Sequence, residues 1–266
     1  MEYNDPFLCL SLFSKSENLY VRHAHEILCS FVFYYLVYRY VAPVLNELFF
    51  GNNYKSLKDV RQKIDYDVHT VSMVQCAVTV STILPIVHIP TVGAQLAKYY
   101  NPQASMASSL AIGYFLWDLY ICLKHYKIYG IQFFAHAVGS LYVMSATLKP
   151  FCQAWVGRFL LLEASTPFVN INWYIIQLSK TNKGKSAVPL WFNVFNGLCL
   201  LSVFFLIRIL YGTFSSMKLI IQIFQLKANL PDLQTNIFIA LVIMMCCLNF
   251  YWFYKMILVA RKLSAK

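Results

Sequence analysis

Long apolar runs separated by short polar segments dominate this chain of 266 residues. A membrane-spanning helix needs about 20 mostly apolar residues. Seven segments qualify, at 26–49, 67–89, 105–123, 130–148, 153–178, 190–213 and 236–259. Only 12% of the residues are charged, against about 25% in a typical soluble domain. The sequence therefore predicts an all-α, polytopic membrane protein with about seven transmembrane helices.

A shorter apolar piece at 217–225 contains a lysine and two glutamines. It is too short to span a bilayer by itself. We expect it to be an interfacial or re-entrant segment rather than an eighth span. Residues 1–25 carry acidic and basic side chains around a short apolar patch, which predicts a short N-terminal tail rather than a cleaved signal peptide.

The net charge of +11 lies mainly in the segments between the apolar runs. Twelve lysines and arginines flank one side of the predicted spans and six flank the other. The positive-inside rule then predicts a lumenal N-terminus and a cytosolic C-terminus. Because these positive residues are explained by topology and no nucleic-acid motif accompanies them, we exclude DNA and RNA as partners.

The sequence offers no familiar metal or cofactor signature. Its eight cysteines lie mostly in apolar runs, without a CxxC motif or a Cys/His ligand spacing, so they are expected to be small buried hydrophobic residues. Hydrolase, zinc-protease, P-loop and dinucleotide motifs are absent as well. We therefore predict no metal site and no bound cofactor.

Ionisable residues inside the apolar runs are the first candidates for function. Such groups are costly in hydrocarbon, and they usually face a bundle interior or a water-filled cavity. Asp118 lies in the third predicted span, His136 in the fourth and Arg208 in the sixth. A role for Asp118 and His136 in hydrogen-bonded packing stays open. Arg208 is the expected counter-charge of Asp118 or of Glu163.

The fifth predicted span contains an unusual polar run from Arg158 to Trp173. On a helix, Glu163, Thr166 and Asn170 fall within about 60° of one another. Pro167 has no N–H, so the carbonyl of Glu163 loses its usual partner and the helix is expected to kink. This run is either one wall of a functional cavity or a structural kink held by polar contacts.

Together these residues resemble the TLC-domain family, named for the translocating-chain-associating, longevity-assurance and ceroid-lipofuscinosis proteins. The resemblance rests on Trp117-Asp118, on His136 and on the pattern Glu-x-Ser-Thr-Pro-Phe-x-Asn-x-x-Trp that begins at Glu163. The pattern is similar to that of the small transmembrane-56-like branch. The resemblance implies a six-helix core around an acyl-chain cavity within 60–262, preceded by a tail at 1–25 and by a first helix with its cytosolic loop at 26–59.

The resemblance also implies two alternative functions. The family's enzymes are ceramide synthases, which transfer an acyl group from acyl-CoA to a sphingoid base with two adjacent histidines and a pair of acids. Here alanines, Ala135 and Ala137, flank His136, so the second histidine is missing. Thr166 occupies the position of the second acid. We therefore expect a protein of lipid homeostasis that binds, senses or moves a lipid acyl chain. The alternative is an acyl-CoA-dependent acyltransferase in which His136 is the base and Glu163 or Asp118 orients it.

For either function the resemblance implies one set of cavity-lining residues: Asp118, His136, Glu163, Thr166, Pro167, Asn170, Trp173 and Arg208. The expected partners are membrane lipids, with a sphingolipid or acyl-CoA among the candidates. Acyl-CoA enters only as the co-substrate of the alternative. The endoplasmic reticulum or another endomembrane is the expected location, and the oligomeric state stays open.

Overall fold

The computed structural model describes residues 4–91, 96–181, 188–226, 230 and 232–264. Within these ranges the chain is helical and contains no strand, which confirms the all-α prediction. The principal helices are α1 (Ala24–Phe50), α2 (Val60–Ile83), α3 (Pro102–Lys124), α4 (Tyr126–Thr147), α5 (Val156–Leu160), α6 (Thr166–Thr181), α7 (Leu190–Leu226) and α8 (Asp232–Ser264). Helix α4 is interrupted near its start at Gly130, whose φ of 67° is not helical. A 3₁₀ segment, Leu161–Ser165, joins α5 to α6.

In the described part of the chain, α1, α3, α7 and α8 are long and apolar enough to cross a membrane. The protein is therefore a polytopic membrane protein. The remaining predicted spans also fall on helices, namely α2, α4 and the α5–α6 pair. Polar residues dilute the apolar character of α2, where Gln75 donates to Thr79 at 2.7 Å and accepts from Tyr34 of α1. Hydrogen bonds between helices satisfy such groups inside a bundle.

Helix α3 is the central element of the bundle and packs most extensively against α4 and α1. Trp117 on α3 is wholly buried. Gly113 allows the close approach of α1, because a Cβ atom there would lie 2.5 Å from Cβ of Ser30 and 2.6 Å from the carbonyl oxygen of Ile27. This crossing therefore requires a residue without a side chain.

Capping residues set the boundaries that hydropathy alone misplaces. Helix α2 begins at Val60, before the predicted span at 67–89, because the Asp59 side chain accepts a hydrogen bond from the backbone N–H of Arg61. Helix α3 begins at Pro102, where the side chain of Asn101 accepts from the N–H of Ala104 at 2.9 Å. Both side chains satisfy backbone donors that lack a partner within the helix.

The segment at 217–225 is not the separate interfacial or re-entrant piece that its sequence suggests. It continues α7 beyond a π-helical turn at Phe205–Tyr211. Leu219 is wholly buried in the core. The side-chain N–H of Gln222 finds an acceptor in the carbonyl oxygen of Thr91 at 3.0 Å, so the polar residues do not end the helix.

Candidate functional site

An internal cavity brings together three of the predicted site residues. His136 from α4, Glu163 from the 3₁₀ segment and Arg208 from α7 all line it. The other walls are largely apolar and include Phe115, Phe159, Val242 and Met245, with Ser216 and Asn249 as polar neighbours. The cavity therefore combines a charged and polar region with an apolar region.

The cavity volume is about 70 Å³. A single water needs about 10–15 Å³ on this measure, so the space accommodates several waters or the polar part of a small molecule. A long acyl chain requires more room than this. Such a chain would have to extend between the helices.

Arg208 is buried at the π-helical turn of α7 and is extensively bound. Its Nη2 lies 3.5 Å from Oε1 of Glu163 and donates to Oγ1 of Thr166 at 3.3 Å. Its Nε donates to Oγ of Ser165 at 2.7 Å and to the carbonyl oxygen of Leu162 at 3.1 Å. The partner of Arg208 is thus Glu163. Single π-helical turns occur frequently at functional sites.

The 3₁₀ segment explains how Glu163 reaches both the cavity and Arg208. Pro167 deprives the Glu163 carbonyl of its helical partner, and the thiol of Cys76 on α2 donates to that oxygen at 3.2 Å. The Glu163 carboxylate also accepts from the hydroxyl of Thr166 at 2.8 Å. The chain is 3₁₀-helical at this point, and the Glu163 carbonyl accepts from the backbone N–H of Thr166 as well as from Cys76.

His136 faces the same cavity from α4. Its ring lies edge-on to Trp252, with 5.5 Å between centroids, and edge-on to Phe115, at 6.3 Å. Its Nδ1 is buried and has no hydrogen-bond partner among the residues that the structure describes. A buried polar atom without a partner is uncommon in folded proteins. The described residues therefore leave the hydrogen bonding of His136 incomplete.

The other predicted residues lie outside the cavity lining of the described chain, which does not include Asp118, Thr166, Pro167, Asn170 or Trp173. Asp118 on α3 is close enough to Glu163 for electrostatic interaction. The Thr166 hydroxyl binds both members of the charged pair, because it donates to Glu163 and accepts from Arg208.

Asn170 and Trp173 attach α6 to α2. The Asn170 amide donates to the carbonyl oxygen of His69 at 3.1 Å. The indole of Trp173 stacks on the His69 ring, with 3.9 Å between centroids and 15° between planes. These two contacts therefore fix the N-terminal part of α6 against α2, while Glu163 in the preceding 3₁₀ segment lines the cavity.

Three contributors to the site are missing from the sequence-based set. Ser165 binds Arg208, Cys76 satisfies the Glu163 carbonyl, and Phe159 contributes an apolar wall. Ser165 and Phe159 both lie in the polar run, so their proximity in sequence was an available signal. Cys76 gives no such signal, because it comes from a distant helix and resembles any other buried cysteine.

Comparison with known proteins gives a consistent set of relatives. A family profile described as TLC domain matches residues 65–258. The Saccharomyces cerevisiae protein named Topoisomerase I damage affected protein 4 is 48% identical over 259 residues, which cover 97% of this chain and 92% of the relative. An uncharacterised TLC domain-containing protein of Schizosaccharomyces pombe is 32% identical over 238 residues, covering 89% and 78% of the two chains.

A human relative, TLC domain-containing protein 4, is 36% identical over 108 residues. That match covers 40% of this chain and 39% of the human protein. No solved structure matches the chain.

Proposed function

The chain belongs to the TLC-domain family of membrane proteins, and from this premise we propose that it binds a membrane lipid in the cavity formed by His136, Glu163 and Arg208. Through this binding it acts in the lipid homeostasis of an endomembrane such as the endoplasmic reticulum. It senses, holds or moves the lipid.

The observation that carries the proposal is that His136, whose Nδ1 has no hydrogen-bond partner among the described residues, lines a mostly apolar cavity together with Glu163 and Arg208. Arg208 and Glu163 satisfy each other and are anchored by Ser165 and Thr166. Their charges make this part of the cavity lining polar, and both groups already have partners within the protein. His136 then supplies the hydrogen bond that a hydroxyl, amide or ester group of a lipid can complete.

The shape of the cavity suits the polar part of an amphiphile. A volume of about 70 Å³ accommodates the polar group, while Phe115, Phe159 and Met245 are apolar residues of the same lining. The acyl chain then extends between helices toward the bilayer. Burial of apolar surface along this path supplies the larger part of the binding free energy.

Acyl transfer is the second candidate, because His136 and Glu163 share the cavity. A general base of this kind needs an acid or another group that orients its ring. Among the described residues no carboxylate bonds Nδ1 of His136, and the Glu163 carboxylate is held by Thr166 and Arg208. The geometry therefore favours binding over catalysis.

Lipid analysis of the purified protein tests the proposal. The full chain is purified in a mild detergent, and its bound lipids are identified by mass spectrometry. We expect one lipid class to co-purify with the wild type and to fall several-fold in His136→Ala. His125→Ala is the matched control, since His125 lies at the α3–α4 junction outside the cavity lining. Equal lipid content in all three proteins would overturn the proposal.

The same preparations separate binding from acyl transfer. Each is supplied with a sphingoid base and acyl-CoA, and the N-acylated product is measured. Binding without product supports the leading proposal. Product that is formed by the wild type and by His125→Ala, but not by His136→Ala, establishes the acyltransferase instead.

A further inference from the structure

A second polar cluster lies at the N-terminal end of the bundle, away from the lipid cavity. Asp5 comes from the tail, His23 precedes α1, and Glu26 lies in the first turn of α1. Their side chains are almost wholly buried, with exposed fractions of 0%, 0% and 1%. Two carboxyl groups and one imidazole are therefore enclosed together.

The cluster contains polar atoms that its own members leave unsatisfied. In the described chain, Oδ2 of Asp5, Oε1 of Glu26 and Nε2 of His23 are buried without a hydrogen-bond partner, as is Nδ1 of the adjacent His25. Buried polar atoms normally have partners. Among the described residues, the two carboxyl groups of the cluster are therefore incompletely satisfied.

Charge supports the same view. Buried carboxylates need a counter-ion or a metal. Arg22, which precedes His23 in the sequence, directs its Nε to the carbonyl oxygen of Ser16 and its Nη1 to the hydroxyl of Tyr100. Among the described residues, the ion-pair partners of Asp5 and Glu26 are the two histidines, so a divalent cation would balance the two carboxylates.

The distances suit a single metal ion. Nδ1 of His23 lies 3.4 Å from Oδ2 of Asp5 and 3.0 Å from Oε2 of Glu26, to which it is hydrogen-bonded. One ligand atom from each of the three residues lies within 4.8 Å of the other two. A tetrahedral ion with bonds of about 2.0–2.1 Å has ligand atoms about 3.3 Å apart. Both separations measured from His23 are therefore close to the tetrahedral value.

We propose that Asp5, His23 and Glu26 bind one Zn²⁺ ion, with water at the fourth position. One imidazole and two carboxylates form a nitrogen and oxygen donor set that zinc accepts. The 18-residue separation of Asp5 and His23 hides the site from spacing motifs. It also means that zinc would fasten the tail to the start of α1.

The local backbone is already arranged for this role. The second carboxylate oxygen of Asp5 accepts from the N–H of Phe7 at 2.9 Å. Nε2 of His25 lies 2.9 Å from the carbonyl oxygen of Phe7, which places the tail over α1. These contacts orient Asp5 so that its Oδ2 faces His23. Groups that orient ligands in this way are typical of metal sites.

Metal analysis of the full chain in detergent micelles tests the proposal. The protein is stripped with a chelator, equilibrated with zinc chloride, desalted and measured by mass spectrometry. We expect about one zinc per wild-type chain, since three protein ligands with one water form a complete zinc site. Asp5→Asn and His23→Ala should weaken binding at least about tenfold, while His125→Ala should bind like the wild type.

Two further measurements keep the result interpretable. Asp5→Asn changes a tail residue with a near-isosteric amide, so the helical bundle is expected to stay folded, and circular dichroism checks this. X-ray absorption of the zinc-loaded wild type should show nitrogen and oxygen ligands without sulfur. A wild type that retains no zinc, an Asp5→Asn variant with full zinc content, or a sulfur ligand from one of the cysteines would each overturn the proposal.

Discussion

Replacing Glu163 by glutamine should destabilise the protein through the loss of one buried charge. The side chain keeps its shape and its acceptor for the Thr166 hydroxyl. Arg208, however, is left with only neutral acceptors in Ser165, Leu162 and Thr166. The substitution therefore isolates the contribution of the ion pair from that of packing.

The expected cost follows from the separation of the charges. At 3.5 Å, and with an effective dielectric constant of about 20, the gross attraction is about 5 kcal/mol. Removing one partner of a buried pair typically costs about 3–5 kcal/mol. Because the neutral acceptors of Arg208 remain, we expect a loss of about 3 kcal/mol, at the lower end of that range.

Thermal unfolding in detergent micelles measures this loss. A thiol-reactive dye reports unfolding through buried cysteines such as Cys122 and Cys152. For a chain of this size, roughly 2–4 °C of melting temperature corresponds to 1 kcal/mol. Glu163→Gln should therefore melt about 6–12 °C below the wild type.

Glu47→Gln is the matched control. Glu47 and Lys55 are separated by 3.4 Å, nearly the same distance, but their side chains are 49% and 58% exposed. Exposed pairs contribute about 0.2–1 kcal/mol, so this variant should melt close to the wild type. In the double variant Glu163→Gln/Arg208→Met, the two costs should be less than additive by about 2 kcal/mol. Equal effects at Glu163 and Glu47, or full additivity, would refute the reasoning.

Two other predictions concern helix packing and buried polar networks. Gly113→Ala should destabilise the protein by about 1–3 kcal/mol through overpacking of the α1–α3 crossing. Gly197→Ala should be neutral or stabilising by up to about 1 kcal/mol, since nothing lies within 4 Å of a Cβ added there; thermal unfolding checks both, and equal effects would contradict the close approach. Asp67→Leu should cost at least about 2 kcal/mol, because Asn46 and Tyr54 each lose the carboxylate that accepts their hydrogen bonds at 2.8 Å. A near-wild-type unfolding temperature would show that these donors find other partners.

Much of the fold could be predicted from the apolar runs and from the few polar residues and the proline that interrupt them. Spans of about 20 apolar residues identify the helices, and the cost of isolated charges predicts that Arg208 pairs with an acid. The missing N–H of Pro167 predicts that the Glu163 carbonyl lacks its α-helical partner, and the chain is 3₁₀-helical there. These arguments succeed because each depends on local chemistry that a membrane enforces.

Residues of the polar run at 158–173 contact two different parts of the bundle, Arg208 on α7 and helix α2. A regular helix does not predict which residues contact which part. A 3₁₀ segment has three residues per turn, or about 120° per residue instead of 100°. Its presence at Leu161–Ser165 brings Ser165 to Arg208, while Asn170 and Trp173 contact α2. The angular relation of Glu163 to Asn170 on an ideal helix therefore does not describe their positions.

Contacts between distant parts of the chain were equally inaccessible to sequence reasoning. The Asp5 cluster depends on a tail that folds back over α1, and the Cys76 contact joins α2 to the 3₁₀ segment. The continuation of α7 through 217–225 depends on burial of Leu219 against other helices. In each instance the deciding interaction is tertiary, so no spacing or hydropathy pattern contains it.

Photocrosslinking with a bifunctional lipid tests the lipid-cavity proposal most directly. The purified protein is incubated with a lipid that carries a diazirine on its acyl chain, irradiated, and digested for peptide mapping. We predict crosslinks at cavity residues such as Phe115, Phe159 and Met245, and their reduction in His136→Ala. Crosslinks confined to outward-facing residues such as Leu198 and Phe214, which are 62% and 58% exposed, would contradict the proposal.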